Sequence, residues 1–271
     1  MTDTSTETRS PHFGQDATVQ TYREIHLPRV FTPWARVLLE IAPPRIGDAV
    51  LDVATGPGTV ARQAALLVGP TGRVTGVDIS AAMLAVGREW PAESRSAPIE
   101  YVESSASVLP LPDSTFDAAY CQQGLQHMAD PIAALREMLR VLKPGGLLGV
   151  ALWTQSPFGV FREVVGEIAG ADLGPQPSDF GRDAGELAST LRDVGFREVN
   201  VENRELLSVL EGGIPQALQV AQATSGGSVM ARLSAEQQAM VRERITQALQ
   251  PAIVDGAVHL RSATNIASAR R

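Results

Sequence analysis

A single cysteine, Cys121, stands among 271 residues, so no internal disulfide can form and thiolates cannot build a metal centre. The expected compartment is therefore reducing, with the cytoplasm as the default. Aromatic residues make up only 5% of the chain, and no His, Cys and Asp residues fall at metal-ligand spacing, so no metal is expected. No apolar run approaches the ~20 residues of a membrane span. The polar start MTDTSTETRS also lacks the apolar segment of a secretory signal. Basic residues are outnumbered, 23 Lys and Arg against 30 Asp and Glu, for a net charge of −7. Nucleic acid and anionic membrane surfaces attract clustered cations, so neither is an expected partner.

A hydrophobic fraction of 44% and a charged fraction of 20% suit one globular domain with an elaboration. Residues 1–17 are small, polar and aperiodic, and read as a mobile tail. Two helical patterns follow, Thr18–Leu27 and Pro33–Ala42, the second with Thr32 as N-cap and Pro43-Pro44 as its stop. Short apolar runs then alternate with amphipathic stretches. Strands are expected at Ala49–Ala54, Arg73–Val77, Ile99–Glu103, Phe116–Cys121 and Leu147–Trp153. Helices are expected at Thr59–Val68, Ser80–Glu89 and Pro131–Leu142, with Lys143-Pro-Gly-Gly146 as a stop. Strands apolar throughout, joined by helices, mean a parallel sheet covered on both faces and doubly wound. Beyond Trp153 come helices at Pro157–Ala169 and Ala184–Val194, a long strand Phe196–Val209, helices at Ile214–Ala223 and Ala235–Leu249, and a last strand Ala263–Ala269. If the last two strands pair, residues 211–255 are a helical insertion overhanging the open end of the sheet. The division is then 18–48 for the cap helices, 49–153 for a ligand-binding core and 154–271 for the rest.

The stretch VLDVATGPGTVA, Val50–Ala61, organises the core. A buried strand runs into a tight turn at Gly56 and Gly58 and then into a helix, whose free N–H groups and positive end cradle a small polar ligand. With Ala61, the two glycines match a dinucleotide fingerprint, and Asp78 ends the second strand where a ribose-binding acid belongs. An NAD-dependent oxidoreductase is therefore one reading. Asp52 argues against it, because a carboxylate beside the turn repels a pyrophosphate and attracts an ammonium. An amino acid joined to a ribose and an adenine is S-adenosylmethionine.

VLDVATGPGTVA, VTGVDIS, ASVLPLPDSTFDAAYCQQGLQHMADP and LREMLRVLKPGGLLGVALW, in this order, resemble the motifs of class I S-adenosylmethionine-dependent methyltransferases. The likeness is to the broad group that includes the ubiquinone and menaquinone methyltransferases. It implies a mostly parallel seven-stranded sheet, S-adenosylmethionine as cofactor and S-adenosylhomocysteine as product. It also implies that Asp52 holds the methionine ammonium while the backbone through Ala54, Thr55, Gly56 and Gly58 wraps the amino-acid portion. Asp78 would then take both ribose hydroxyls, Ile79 and Met83 would pack on the adenine, and Ser105 and Ala106 would meet its edge. Gln122 and Gln123 would lie near the transferable methyl. Ala54 replaces the first glycine of the usual turn, a change expected to cost little. Ser105 replaces a common acidic residue, a neutral hydrogen bond for a charge-assisted one.

Methyl transfer to a hydroxyl or carbon acid needs a base, and His127, just after the fourth strand, is the candidate. Tyr22 and His26 are placed to close over the site. Trp153, Phe158, Phe161, Phe180, Met230 and Met240 could line an acceptor pocket, although most such residues are core. Cys121 reads as a buried small hydrophobe, and Asp113 and Asp117 as loop and strand-start residues. The expected function is transfer of a methyl group to oxygen or carbon of a small, partly apolar molecule, by a monomer or homodimer. A protein of this fold that binds the cofactor without methylating remains the other alternative.

Overall fold

The computed structural model describes residues 22–90, 93–170, 179–222 and 227–271. The proposed tail, residues 1–17, lies outside them. The chain opens with a π-helical segment, α1 (Tyr22–Phe31), that runs without a break into α2 (Thr32–Ile41). Thr32 is thus not an N-cap: Phe31 precedes the helix in right-handed helical conformation, and no side chain caps it. Pro28 lies inside α1, where it supplies no N–H and crowds the carbonyl four residues back, so an ordinary α ladder cannot continue through it.

The core then alternates as expected: β1 (Ala49–Val53), α3 (Thr59–Val68), β2 (Arg73–Asp78), α4 (Ala81–Glu89), β3 (Ile99–Glu103), β4 (Phe116–Gln122), α5 (Pro131–Val141) and β5 (Leu142–Gln155). Lys143-Pro-Gly-Gly146 does not separate helix from strand, because β5 already begins at Leu142, where it pairs with Phe116 of β4. After β5 come α6 (Gly159–Ala169), α7 (Ala184–Val194), β6 (Arg197–Leu210), α8 (Gly213–Gln222), α9 (Gly227–Met230), α10 (Ala235–Leu249), the short β7 (Ile253–Val254) and β8 (Ala257–Arg270). The sheet order is β3-β2-β1-β4-β5-β8-β6, with β7 paired to β8. The first five strands are parallel, while β8 runs antiparallel to both β5 and β6.

Period-two alternation sorts the strands onto two cores. Leu51, Val53, Ala119, Cys121 and Leu148 face α5 and α7. Val50, Val74, Ala118 and Tyr120 face α2 and α3. Gly149 of β5 leaves the room that the Tyr120 ring fills, since a Cβ there would stand 2.7 Å from it. The Tyr120 hydroxyl then donates to the Ala42 carbonyl at 2.7 Å and ties down the end of α2.

A third cluster joins Ile25 of α1 to Phe161, Val164 and Val165 of α6, Ala217 and Val220 of α8, and Val241, Ile245 and Leu249 of α10. Its place follows from register. β8 pairs with β5 only from Ala263 onward, so Ala257–Ser262 and the partner stretch up to Leu210 project past the carboxyl end of β5. The residues between β6 and β8, together with α1 and α6, therefore form a cap at the end of the sheet where β1 and β4 finish.

Trp34 fastens this cap to the sheet. It is fully buried, donates from its indole N–H to the Ser262 hydroxyl at 3.1 Å, and meets Trp153 edge-on with ring centroids 5.7 Å apart. Trp34→Ala removes this packing and is expected to cost about 3–5 kcal/mol in urea unfolding, the range for deleting a large buried aromatic. A loss under about 1 kcal/mol would mean that the cap is held elsewhere.

Candidate active site

β1 leaves the sheet through a turn whose backbone is left-handed at Ala54, Gly56 and Gly58, with φ of 55°, 55° and 88°. The Thr55 N–H still reaches the Val77 carbonyl at 3.0 Å, so β2 guides the first step of the turn. Two carboxylates grip the rest. Asp52 is 1% exposed, and its Oδ2 accepts from the Thr55 hydroxyl at 2.6 Å and from the Ala61 N–H at 2.9 Å. It thereby joins the end of β1 to the first turn of α3. Asp78 accepts from the Gly56 N–H at 2.7 Å on Oδ2 and from the Ser80 N–H at 2.8 Å on Oδ1.

Ala54 corrects one expectation. In the left-handed region its Cβ crowds the following carbonyl, so the replacement of glycine costs about 1 kcal/mol or more and is not a neutral change. Gly58 cannot change at all without movement, because a Cβ there would fall on the Tyr101 hydroxyl. Tyr101, on β3, is a site residue that sequence reading missed. Its ring also fills the space left by Gly76 and Gly87, and its buried hydroxyl has no hydrogen-bond partner among the described residues. The only trace in the sequence is three glycines on three elements, with no period connecting them.

The remaining cofactor candidates surround this turn unevenly. Ile79 follows Asp78 and is 40% exposed, whereas Met83 is buried, with its N–H on the Ser80 hydroxyl that caps α4. Ser105 and Ala106 follow β3. The Ser105 hydroxyl accepts from the Ser107 N–H at 3.1 Å, and Ala106 packs on the α5 side of the core. Tyr22 begins α1, and its side chain lies outside the described residues.

Three glutamines stand at the end of β4, and two of them hold it. Gln122 donates to the Phe31 carbonyl at 3.0 Å and so binds the strand to the junction of α1 and α2. Gln123 has a left-handed φ of 49°, is 6% exposed, and neither carboxamide atom has a partner among the described residues. Gln126, absent from the sequence candidates, acts as a false strand: it donates to the Trp153 carbonyl at 2.9 Å and accepts from the Trp153 N–H at 2.7 Å. His127 closes the one-turn 3-10 helix Leu125–His127 and is exposed.

The residues considered for an acceptor pocket divide. Trp153, Phe158, Phe31 and His26 form a connected file: Phe31 lies 6.5 Å from Trp153 and 6.1 Å from Phe158, and His26 stacks on Phe158 at 4.9 Å. Phe161 and Met230 belong to the cap core, Phe180 packs on the α5 side, and Met240 is 48% exposed. Burial lowers the pKa of His26 to about 4, against a hydrogen bond to the Val220 backbone, so the ring is neutral near pH 7. Cys121 is buried as expected, and burial pushes its thiol up to about 12, which rules it out as a nucleophile. Asp113 pairs with Arg140, and Asp117 with Lys143 and the Ala49 N–H, so neither is an acid or base of the site.

These residues fit S-adenosylmethionine. Asp78 accepts from the backbone N–H groups of Gly56, Ser80 and Ile79, and its two oxygens keep lone-pair capacity for a ribose hydroxyl. At Gly56 nothing stands within 4 Å of where a Cβ would be, which leaves the backbone of the turn open to close approach. The backbone after β4 adjoins the same turn, since a Cβ on Gly124 would meet Ala54 at 2.6 Å, and the residue before it, Gln123, has an orphaned carboxamide.

Residues 51–150 match the family model described as a methyltransferase domain. The chain is 36% identical over 163 residues to a ubiquinone/menaquinone biosynthesis C-methyltransferase, UbiE, of Hahella chejuensis, an alignment covering 53% of this chain and 66% of that protein. Against a Pseudomonas savastanoi protein of the same description it is 45% identical over 116 residues, covering 42% of this chain and 45% of that one. The chain thus spans less than two thirds of the length of these curated relatives. Among solved structures, phosphoethanolamine N-methyltransferase 2 of Haemonchus contortus, in complex with phosphomonomethylethanolamine and S-adenosylhomocysteine, aligns at a TM-score of 0.54 and 22% identity, covering 88% of this chain and 52% of that one. Residues 51–150 thus match a methyltransferase domain, carried on a fold that this solved methyltransferase shares.

Burial raises the Asp52 pKa from 3.8 to about 7, against the hydrogen bonds from Thr55 and Ala61, and the Asp78 charge adds to the rise. A folded state that keeps its proton longer than the unfolded chain loses stability as pH climbs between the two values. Asp52 therefore contributes most below pH 4 and progressively less up to pH 7, a change on the order of 4 kcal/mol. Asp52→Asn keeps an acceptor for Thr55 and Ala61 without the charge. Chemical denaturation at pH 5 and pH 8 is expected to show the variant gaining on the wild type as pH rises. A constant difference would show that Asp52 is ionised throughout.

Proposed function

We propose that this chain transfers the methyl group of S-adenosylmethionine to oxygen or carbon of a small, partly apolar molecule in the cytoplasm, as a monomer or homodimer. The observation that carries the reading is the glycine turn held between two carboxylates, the buried Asp52 and the half-buried Asp78. A nicotinamide dinucleotide would lay its pyrophosphate beside these acids and bring Asp52 no cation, whereas the methionine ammonium and the ribose hydroxyls suit them. The cofactor, when bound, supplies an activated methyl carbon on a sulfonium, so the protein's task is to orient the acceptor in line and exclude water.

The aromatic file of Phe31, Trp153 and Phe158 under the cap supplies apolar surface next to the end of β4, and the description of the curated relatives as C-methyltransferases of ubiquinone/menaquinone biosynthesis accords with such an acceptor. For transfer to a hydroxyl or carbon acid, His127 receives the acceptor proton. No helix among the described residues is long and apolar enough to cross a membrane. The fold alone does not make a methyltransferase: the [4+2]-cyclase SpnF aligns with a TM-score of 0.54 and 23% identity over 88% of this chain and 80% of that one. Turnover with labelled cofactor and a metabolite pool therefore has to accompany binding.

S-adenosylhomocysteine at ~100-fold over its Kd is expected to stabilise the protein by about 2.7 kcal/mol, and NADH not at all. Asp78→Ala should abolish most of that stabilisation while the protein stays folded. A thermal shift with NADH alone would sink the reading, and undiminished binding by the variant would show that another acid holds the ribose.

For the base, His127→Ala should lower kcat by about 10²–10⁴-fold on an oxygen or carbon acceptor, with S-adenosylhomocysteine affinity unchanged. Unaltered turnover would remove His127 from the chemistry.

A further inference from the structure

We propose that the glycine turn is a cation-for-proton exchange site, in which a ligand's ammonium group binds beside Asp52 and expels a proton that this carboxyl otherwise holds. The inference rests on the cofactor reading above and concerns how the same site is regulated. It starts from geometry. Asp52 is 1% exposed, and among the described residues its recorded donors, the Thr55 hydroxyl and the Ala61 N–H, both reach Oδ2. No cation among the described residues forms an ion pair with it.

The titratable groups that face Asp52 do not help it ionise. Asp78 approaches from β2, Tyr101 from β3 and Cys121 from β4, and none of them is a cation. The nearest base on α3, Arg62, is committed elsewhere: it lies 5.2 Å over the Trp90 ring and 4.0 Å from Glu93. A buried carboxylate in such surroundings is settled either by a counter-cation or by a proton. Burial raises its pKa to about 7, so near neutral pH the two solutions are evenly matched.

The exchange balances without any further reactant. Protonated Asp52 and a ligand ammonium become an Asp52 carboxylate paired with that ammonium, and one proton passes to solvent. No covalent bond to carbon forms or breaks, and no electron moves. When the ligand leaves, the carboxyl takes a proton back. Affinity for ligands with an ammonium end therefore rises with pH through neutrality, and a ligand lacking that end exchanges nothing.

The test is calorimetric titration of the full chain with S-adenosylhomocysteine at pH 7 in phosphate, imidazole and Tris buffers, whose different ionisation enthalpies report the protons exchanged. About half a proton should be released per ligand at pH 7 and about a tenth at pH 8, and Kd should tighten about tenfold between pH 6 and pH 8. 5′-Methylthioadenosine, which lacks the amino-acid end, should bind without release, and Asp52→Asn should bind S-adenosylhomocysteine without release. Binding by the wild type with no proton exchange at pH 7 would overturn the proposal while leaving the cofactor reading intact. Equal release by Asp52→Asn would overturn it as well. No binding of either nucleoside from pH 6 to pH 8 would overturn the cofactor reading and this proposal with it.

Discussion

Two carboxylates holding one strained turn set the terms for the rest of this molecule. The backbone of residues 54–58 passes through the left-handed region three times, once at an alanine, and such a path persists only when surrounding bonds fix it. Asp52 and Asp78 provide those bonds from opposite sides, and Thr55 relays one of them. Burial of Asp52 is the cost of this arrangement, because it has no cation partner within the described residues. A site that is electrostatically uncomfortable by itself is well matched to a ligand with a positive end and hydrogen-bond donors.

The open end of the sheet is built by a different kind of contact. Gln122 and Gln126 spend their carboxamides on backbone groups of Phe31 and Trp153, so β4 reaches outward and fixes the two elements that carry the aromatic file. Trp34, Trp153, Phe31, Phe158 and His26 then pass from the sheet core to the cap through ring contacts. The cap has a hydrophobic cluster of its own and is joined to the sheet by β6 and β8, which run on into it, and by these ring contacts.

The Tyr101 hydroxyl, without a partner among the described residues, adjoins the turn at Gly58, where a ligand can offset its desolvation. By contrast Asp113, Asp117, Glu137 and Arg140 sit at the opposite end of β4 and saturate one another and nearby backbone, with Arg140 binding both Asp113 and Glu137. Charge at that end is structural.

The strand–turn–helix at Val50–Ala61, the parallel order of the first five strands and the acid at the end of β2 were all legible in the sequence. Each depends on local rules: apolar runs of strand length, glycines where the chain must turn, and a cap residue before each helix. Ser80 and Asp130 cap their helices as such rules require. Thr32 does not, because α1 arrives already helical, and no local signal distinguishes a helix start from a helix continued through Pro28. The strain at Ala54, the Tyr101 ring beneath Gly58 and the grip of Gln126 on Trp153 were equally invisible. Each is a contact between residues far apart in the chain, or a backbone angle set by such contacts. Residue type and spacing determined the fold and the kind of ligand. Which carboxylate is buried without a counter-charge, and which aromatics stand together under the cap, only the packed tertiary structure decided, because burial and proximity are properties of the assembled core.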